Sequence, residues 1–265
     1  MTTRGRALLA RLAVIVGLGL LWEGLAGGVI ASVQILNPSS VGRPSLILSE
    51  LYALVGSGKI WPHALTTLSE VGLGLALGVV GGLAFGVLAA YERRLDQALT
   101  PIMNGLNALP HLALAPFIVS WIGIGLASKV LLSALMALFP IFYNVYQGVR
   151  DVRPDWMNAL RVMGASRAQI FRIVVVPSLS AWLLSGLRVS AGLALVGAVV
   201  GEFIGASQGL GYLMMFAQGF LKINRAMAIL LVLGVWGVAM DVGLRRLDRA
   251  LRPGAPTAAE GSTRP

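Results

Sequence analysis

Residues 158–177 read NALRVMGASRAQIFRIVVVP, a long stretch with a polar side that suits neither a membrane span nor a water-soluble core. Upstream of its glycine, Trp156, Ala159, Leu160 and Met163 follow the i, i+3, i+4, i+7 spacing of one apolar helix face, while Asp155, Asn158 and Arg161 point elsewhere. Gly164 ends that helix, because glycine takes the left-handed conformation found at helix C-termini. Ser166 and Gln169 then have the spacing of a capping box, in which each side chain bonds the other residue's backbone N–H. A second helix starts there and runs through Ile170, Phe171 and Val174 to Pro177. That proline has no N–H and its ring clashes with the carbonyl of Ile173, so the spacing predicts a bend. The stretch is a capped two-helix knob.

The chain around it is very apolar. Of 265 residues, 57% are hydrophobic and 12% charged, a composition that belongs to an integral membrane protein. With no cysteine and only His63 and His111, disulfides, thiol nucleophiles and histidine-based metal centres are excluded as readings, and no metal site is expected. The net charge of +10 does not point to nucleic acid, because the basic residues sit at the ends of apolar runs rather than on a face interleaved with aromatics.

A helix needs about 20 apolar residues to cross the hydrocarbon, and six stretches qualify: 8–30, 66–91, a third within 98–128 that Pro101, Pro110 and Pro116 interrupt, 129–150, 177–204 and 226–247. The expected fold is all-α, a polytopic bundle of six transmembrane helices over residues 1–252. The knob, 150–177, is its longest inner loop, and a disordered tail follows from 253 to 265. With the amino terminus inside, fifteen of the 21 basic residues fall on inner segments. Five are outer, Arg43, Lys59, Lys129, Lys222 and Arg225, and Arg188 lies within a span. The positive-inside rule therefore places both termini in the cytoplasm. The first 28 residues also resemble a signal peptide, but their apolar part runs on to Ile30, longer than a signal core, and reads as a retained span. Between the first two spans, Pro44 is expected to start a short amphipathic helix on the outer surface, with Leu46, Ile47, Leu51 and Leu54 on one face.

No energy-transducing site is legible. The nearest approach to a phosphate-binding loop, ALVGSGKI at 53–60, lacks the first glycine and the magnesium-binding hydroxyl. The carboxylates that would serve ion coupling, Glu23, Glu70, Glu202 and Asp241, fall near span ends, Glu23 excepted. Glycines recur every four residues at 74, 78, 82 and 86 and again at 197, 201, 205 and 209. Such flat strips let helices approach closely in lipid, either within one subunit or at a subunit interface. Arg188 is eleven residues past Pro177, about 16 Å along a helix. It is expected to pair with Asp241 of the last span, to snorkel to the inner headgroups, or to line a route for an anion.

From pattern alone the knob has two readings. One is an amphipathic anchor on lipid headgroups through Arg161, Arg167 and Arg172, the other a docking element for a second protein. The chain's role is equally open between a transporter subunit, a membrane scaffold or receptor that recruits a cytoplasmic protein, and an ion-coupled carrier.

The knob resembles the EAA loop of permease subunits of type I ATP-binding-cassette importers: E-A-A, three residues, G, nine residues, I-x-L-P. Here the order is Asn158-Ala159-Leu160, three residues, Gly164, nine residues, then Val174-Val175-Val176-Pro177. The glycine, the proline and both spacings match. Asn158 departs from the usual glutamate and Leu160 from the second alanine, and valines replace Ile and Leu. LWEGLAG (21–27), NPSSVGRPS (37–45), LPHLALAPFIVSWIGIGLASKVLL (109–132), FPIFYNVYQGVRDVRP (139–154) and GEFIGASQGLGYLM (201–214) extend the likeness to the nitrate, sulfonate and taurine branch. The resemblance implies a permease subunit in a bacterial inner membrane with no catalytic residues and no cofactor of its own. Two copies would form the pathway, two cytoplasmic ATPases would bind the ATP and grip the loops, and an external binding protein would deliver a small solute such as nitrate, a sulfonate, taurine or bicarbonate. It assigns ATPase docking to Asp155, Asn158, Ala159, Met163, Gly164, Ala165, Ser166, Gln169 and Pro177. Asn104, Asn107 and Arg188 are the candidate pathway residues.

Overall fold

The computed structural model describes residues 3–27, 41–152 and 154–251, and every regular element among them is helical. In chain order these are α1 (Thr3–Gly27), α2 (Pro44–Gly56), α3 (Ile60–Tyr91), α4 (Arg93–Ala108), α5 (His111–Ile122), α6 (Leu126–Arg150), α7 (Pro154–Val162), α8 (Arg167–Ile170), α9 (Val176–Gly205), α10 (Leu210–Gly219) and α11 (Ile223–Leu251). A π-helical turn, Phe171–Val175, joins α8 to α9.

Four helical runs are long and apolar enough to cross a membrane: α3, α6, Ala168–Gly205 and α11. The expected third span is a pair of helices, α4 and α5, bent by 95°, which departs from a single interrupted crossing. The break falls at Pro110, whose ring forces Leu109 into an extended conformation at φ −68°, ψ 140°. Pro101 and Pro116 lie inside α4 and α5. The second span begins at Ile60, six residues before the expected start. The first, expected over 8–30, is helical as far as Gly27 and its remainder lies outside the described residues, as does the tail 253–265.

The chain forms two compact units. The first comprises residues 1–66 and 207–234. In it, α2 starts with Pro44 in its first turn, and Arg43, the residue at its cap, supplies no side-chain hydrogen bond. Glu23 of α1 takes that role, accepting from the Ser45 N–H at 2.9 Å and the Ser45 hydroxyl at 2.8 Å, which satisfies exposed donors at a helix N-terminus. Ile47 and Leu54 of the expected apolar face are buried, and Leu46 is exposed. The Arg43 N–H donates to Asn224 Oδ1 at 2.9 Å and Arg225 pairs with Glu50 at 2.9 Å, which ties α2 to the first turn of α11. The 53–60 stretch runs from the last turn of α2 to the first residue of α3, and the N–H groups of Ser57 and Gly58 bond the carbonyls of Ala53 and Val55.

The second unit, residues 67–206 and 235–265, is organised around α6. Gly74, Gly78, Gly82 and Gly86 lie against Ser133, Ala137, Ile141 and Val145 in turn, so both helices advance by four and run parallel. On the other side of α6, the Ser190 hydroxyl donates to the Ala137 carbonyl at 2.7 Å and the Ser133 hydroxyl to the Ala194 carbonyl at 3.0 Å. Gly197 packs on Leu132 and Ser133, and Gly201 on Lys129. Here the numbers rise on one helix as they fall on the other, so α9 is antiparallel to α6. The glycine strips are thus spent on packing within the chain, apart from Gly209, which begins α10 at φ +123°. Close approach makes interhelical hydrogen bonds and dispersion available where no hydrophobic effect drives helices together.

Candidate coupling knob, polar cavity and family

The knob is built by hydrogen bonds between near neighbours. Helix α7 ends in a Schellman motif: the N–H of Ala165 reaches the carbonyl of Leu160 at 2.9 Å, and that of Gly164 reaches Arg161 at 3.0 Å. Gly164 has φ +80°, the left-handed conformation expected of it. The capping box is present in both directions, Ser166 N–H to Gln169 Oε1 at 2.7 Å and Gln169 N–H to Ser166 Oγ at 3.3 Å. The helix does not break at Pro177. The chain instead runs as one helix from Ala168 to Gly205, with the π turn just before the proline and the Val176 N–H bonded to the carbonyl of Phe171. An extra residue in that turn shifts the carbonyl register and accommodates the proline without breaking the helix.

The apolar face expected of α7 is divided between the inside and the surface. Met157 and Leu160 pack inward on the buried cluster of Val152, Val174 and Val175. Trp156 is 54% exposed, Val162 89% and Met163 80%, and Ala159 is exposed as well. A helix docked on a membrane bundle needs only one narrow inward stripe, and Val152 and Val174 supply the rest of that cover. Asp155, Asn158, Ser166, Gln169 and Pro177 are exposed and Ala165 half-buried, with Asn158 Oδ1 accepting from Arg161 at 3.4 Å. Beneath the knob lies a cavity of about 450 Å³ bordered by Tyr91, Arg150, Met157, Arg161 and Ile170.

A second cavity, of about 430 Å³, opens between α4, α6 and α9 and is lined by Thr100, Phe142, Tyr143, Asn144, Tyr146, Gln147 and Trp182. Its edge is held by a polar lattice. Asp96 accepts from Thr100 at 2.7 Å and from the Tyr146 hydroxyl at 2.9 Å, and pairs with Arg150 at 2.9 Å. The Arg150 guanidinium also lies 5.2 Å from the Tyr146 ring centre. Of the expected pathway residues, Asn104 is at this edge, accepting from Tyr143 at 2.7 Å. Asn107 is exposed on α4 and Arg188 is half-buried on α9, and neither lines the cavity. The expected Arg188–Asp241 pair is not formed: Asp241 pairs with Arg245 one turn along α11, although the charge of Arg188 still reaches it. An i, i+4 partner on the same helix is preset by helix geometry and wins over one on another helix. The cavity residues were legible in principle, since Tyr143, Asn144, Tyr146 and Gln147 are four polar or amphipathic residues in one turn of an apolar span.

One buried cluster was not anticipated. Glu70 of α3 and Lys129 of α6 form an ion pair at 3.0 Å, with Glu70 0%, Lys129 5% and Glu202 of α9 2% exposed. The Thr67 hydroxyl donates to Glu202 Oε1 at 2.6 Å. Lys129, counted among the outer basic residues, is buried as well, and Glu70 and Glu202, expected near span ends, belong to one buried cluster with it.

Residues 82–253 match the model of the "binding-protein-dependent transport system inner membrane component" family. A putative aliphatic sulfonates transport permease protein, SsuC of Bacillus subtilis, is 33% identical over 223 residues, covering 84% of this chain and 81% of that protein. The formylaminopyrimidine transport permease protein ThiX of Halalkalibacterium halodurans is 32% identical, covering 82% and 89%. Among solved structures, an inward-facing form of the MetNI methionine ABC transporter superposes with a TM-score of 0.63 at 21% identity, over 74% of this chain and 98% of that one, and this supports the fold. The chain belongs to the family of inner membrane components of binding-protein-dependent transport systems. It is a permease subunit of an ATP-binding-cassette importer, the part that forms the route across the membrane.

Proposed function

We propose that the knob is the joint through which a separate cytoplasmic ATPase drives this permease, and that two copies of the chain, each with one ATPase, take a small solute from an external binding protein. The observation that carries this is the exposed apolar ridge of Trp156, Ala159, Val162 and Met163 beside a turn locked by the Schellman motif and the capping box. Lipid anchoring is the weaker reading: it leaves the rigid turn unexplained, whereas a docked protein needs both the ridge and a fixed direction. ATP then binds to the partner, and this chain carries no cofactor. Both termini lie in the cytoplasm on the positive-inside argument, with residues 1–252 forming the permease domain.

For the solute, the sulfonate relatives favour a small organic anion. The cavity favours a second reading, a neutral heteroaromatic nutrient, because Tyr143, Tyr146 and Trp182 offer rings and Asn144 and Gln147 offer amides, with no charged side chain in its lining. Asn104 and Arg188 are the residues through which an anion would be favoured instead. The test is uptake into proteoliposomes carrying the permease, its ATPase and its binding protein. Accumulation should require ATP and persist when ion gradients are collapsed. Competition by an alkanesulfonate supports the first solute and competition by an aminopyrimidine the second. Uptake driven by an ion gradient without ATP would reject the importer mechanism.

A further inference from the structure

The cavity beneath the knob joins two chemistries. Val152, Ile170 and Val175, each at most 6% exposed, give it an apolar floor. Tyr91, Arg150 and Arg161 are exposed and stand around its opening. Met157 and Arg161, one turn apart, bring α7 to the cavity, whereas Trp156, Ala159, Val162 and Met163 lie around the opposite side of that helix. A molecule in the cavity therefore leaves the exposed ridge open.

The opening carries a surplus positive charge. Arg150 pairs with Asp96 at 2.9 Å. Arg161 donates to Asn158 Oδ1 at 3.4 Å, a long contact with a neutral group, and among the described residues no carboxylate forms an ion pair with it. Tyr91 and Arg150 are the last residues of α3 and α6, both long and apolar enough to cross a membrane, so the opening lies where spans leave the hydrocarbon and headgroups begin. A free anion would gain nothing from the valine and isoleucine floor. A neutral apolar molecule would leave the Arg161 guanidinium without an anion.

We propose that this cavity holds one acidic phospholipid, with its phosphate on the Arg161 guanidinium and the upper part of an acyl chain on the floor formed by Val152, Ile170 and Val175. A guanidinium fork matches two phosphate oxygens at once, and the Tyr91 hydroxyl offers a further donor. Basic pockets between spans on the cytoplasmic side suit acidic headgroups, and on the orientation proposed above the lipid comes from the inner leaflet. It fills the space between the ends of α3 and α6 and the inner side of α7, and so seats the knob on the bundle.

Native mass spectrometry of the purified chain, titrated with phosphatidylglycerol or with phosphatidylcholine of the same acyl chains, tests this without ATPase or uptake, so its outcome is independent of the importer reading. The wild type should retain one phosphatidylglycerol per chain in preference to phosphatidylcholine, and millimolar inorganic phosphate should not displace it. Arg161→Gln, at an exposed position that the fold does not depend on, should weaken retention about tenfold, the worth of one charge-assisted contact. Ala90→Trp, which fills the cavity from α3 and keeps both guanidinium groups, should weaken it to a similar degree; if that variant fails to fold, Arg161→Gln carries the readout. Arg172→Gln removes an exposed cation outside the lining and should change nothing. Equal retention of the two lipids, displacement by phosphate, full retention by a folded lining variant, or an equal loss in Arg172→Gln would overturn the proposal. So would expulsion of the lipid when the ATPase binds, which would make the cavity a seat for that protein.

Discussion

At Gly164 a Cβ would meet nothing within 4 Å, but φ is +80°. At Gly78 the backbone is ordinary helix, yet a Cβ would stand 2.6 Å from that of Ala137 and 2.9 Å from the Ala134 carbonyl oxygen. The first glycine is needed for its conformation and the second for its lack of volume. The regions around them differ in the same way. The knob is held by bonds spanning three to five residues, Ala165 to Leu160, Gly164 to Arg161 and Ser166 with Gln169. The seam is held by contacts 53 or more residues apart, such as Ser190 to Ala137 and Ser133 to Ala194. A region of the first kind keeps its shape while the bundle around it moves, which is what a joint requires. A region of the second kind exists only when the spans are assembled.

Substitutions at four positions break or sharpen that contrast. The largest effect is expected in the seam. Gly78→Ala places a methyl inside the contact with Ala137, and overpacking of this kind costs about 1–3 kcal/mol. Gly78→Leu should prevent recovery of folded chain altogether. Thermal unfolding in detergent measures both, and an unchanged midpoint for Gly78→Ala would show that α3 and α6 are not in close contact. Next comes Gly164→Val. A β-branched residue in the left-handed region costs roughly 1–2 kcal/mol, which is about a tenfold shift in the population of the correct turn. The midpoint should stay at the wild-type value while co-purification of the ATPase and uptake fall. Gly164→Asn should retain most activity, because asparagine enters that region more readily. Normal uptake and full ATPase binding by Gly164→Val would sink the joint.

Smaller still is Ser166→Ala, which removes one arm of the capping box and should cost about 1 kcal/mol, confined to the start of α8. Hydrogen exchange at the Gln169 amide should quicken while the seam amides of α6 stay protected. Exchange that quickens in both would mean that the two regions unfold together. The smallest effect belongs to Asn158→Glu. It restores the family's usual residue three positions before Arg161, where a carboxylate adds only about 0.2–0.5 kcal/mol. ATPase binding should match or slightly exceed the wild type, and a clear loss would mean that the docking surface here is shaped for an uncharged residue.

Much of the molecule was legible before folding was considered. The all-α class, the places of four of the spans, Gly164 as a left-handed stop, the reciprocal Ser166–Gln169 cap and Pro44 at the head of α2 all follow from side-chain chemistry acting over one or two helical turns. Misreadings arose where two local solutions competed. Pro177 was expected to bend the helix, and a π turn just before it keeps the helix continuous. Leu160 was placed on one apolar face of α7 with Trp156, but it turns inward with Met157 on the Val152–Val174 surface that the fold brings beneath it. Asp241 was given to Arg188, while Arg245 was already within one turn.

What the sequence by itself determined is most of the helices and the spacing of their small and polar residues, because these depend on contacts no more than a few positions apart. Only the tertiary structure decided which strip meets which. That Gly74–Gly86 faces α6 rather than a second subunit, that Lys129 is buried, and that Glu70 and Glu202 share one buried cluster with it are settled by three spans packing at once. A period of four marks the face a helix will bury, but it carries no information about the partner that buries it. In lipid that choice rests on close packing and hydrogen bonds between helices, which do not exist until the helices have met.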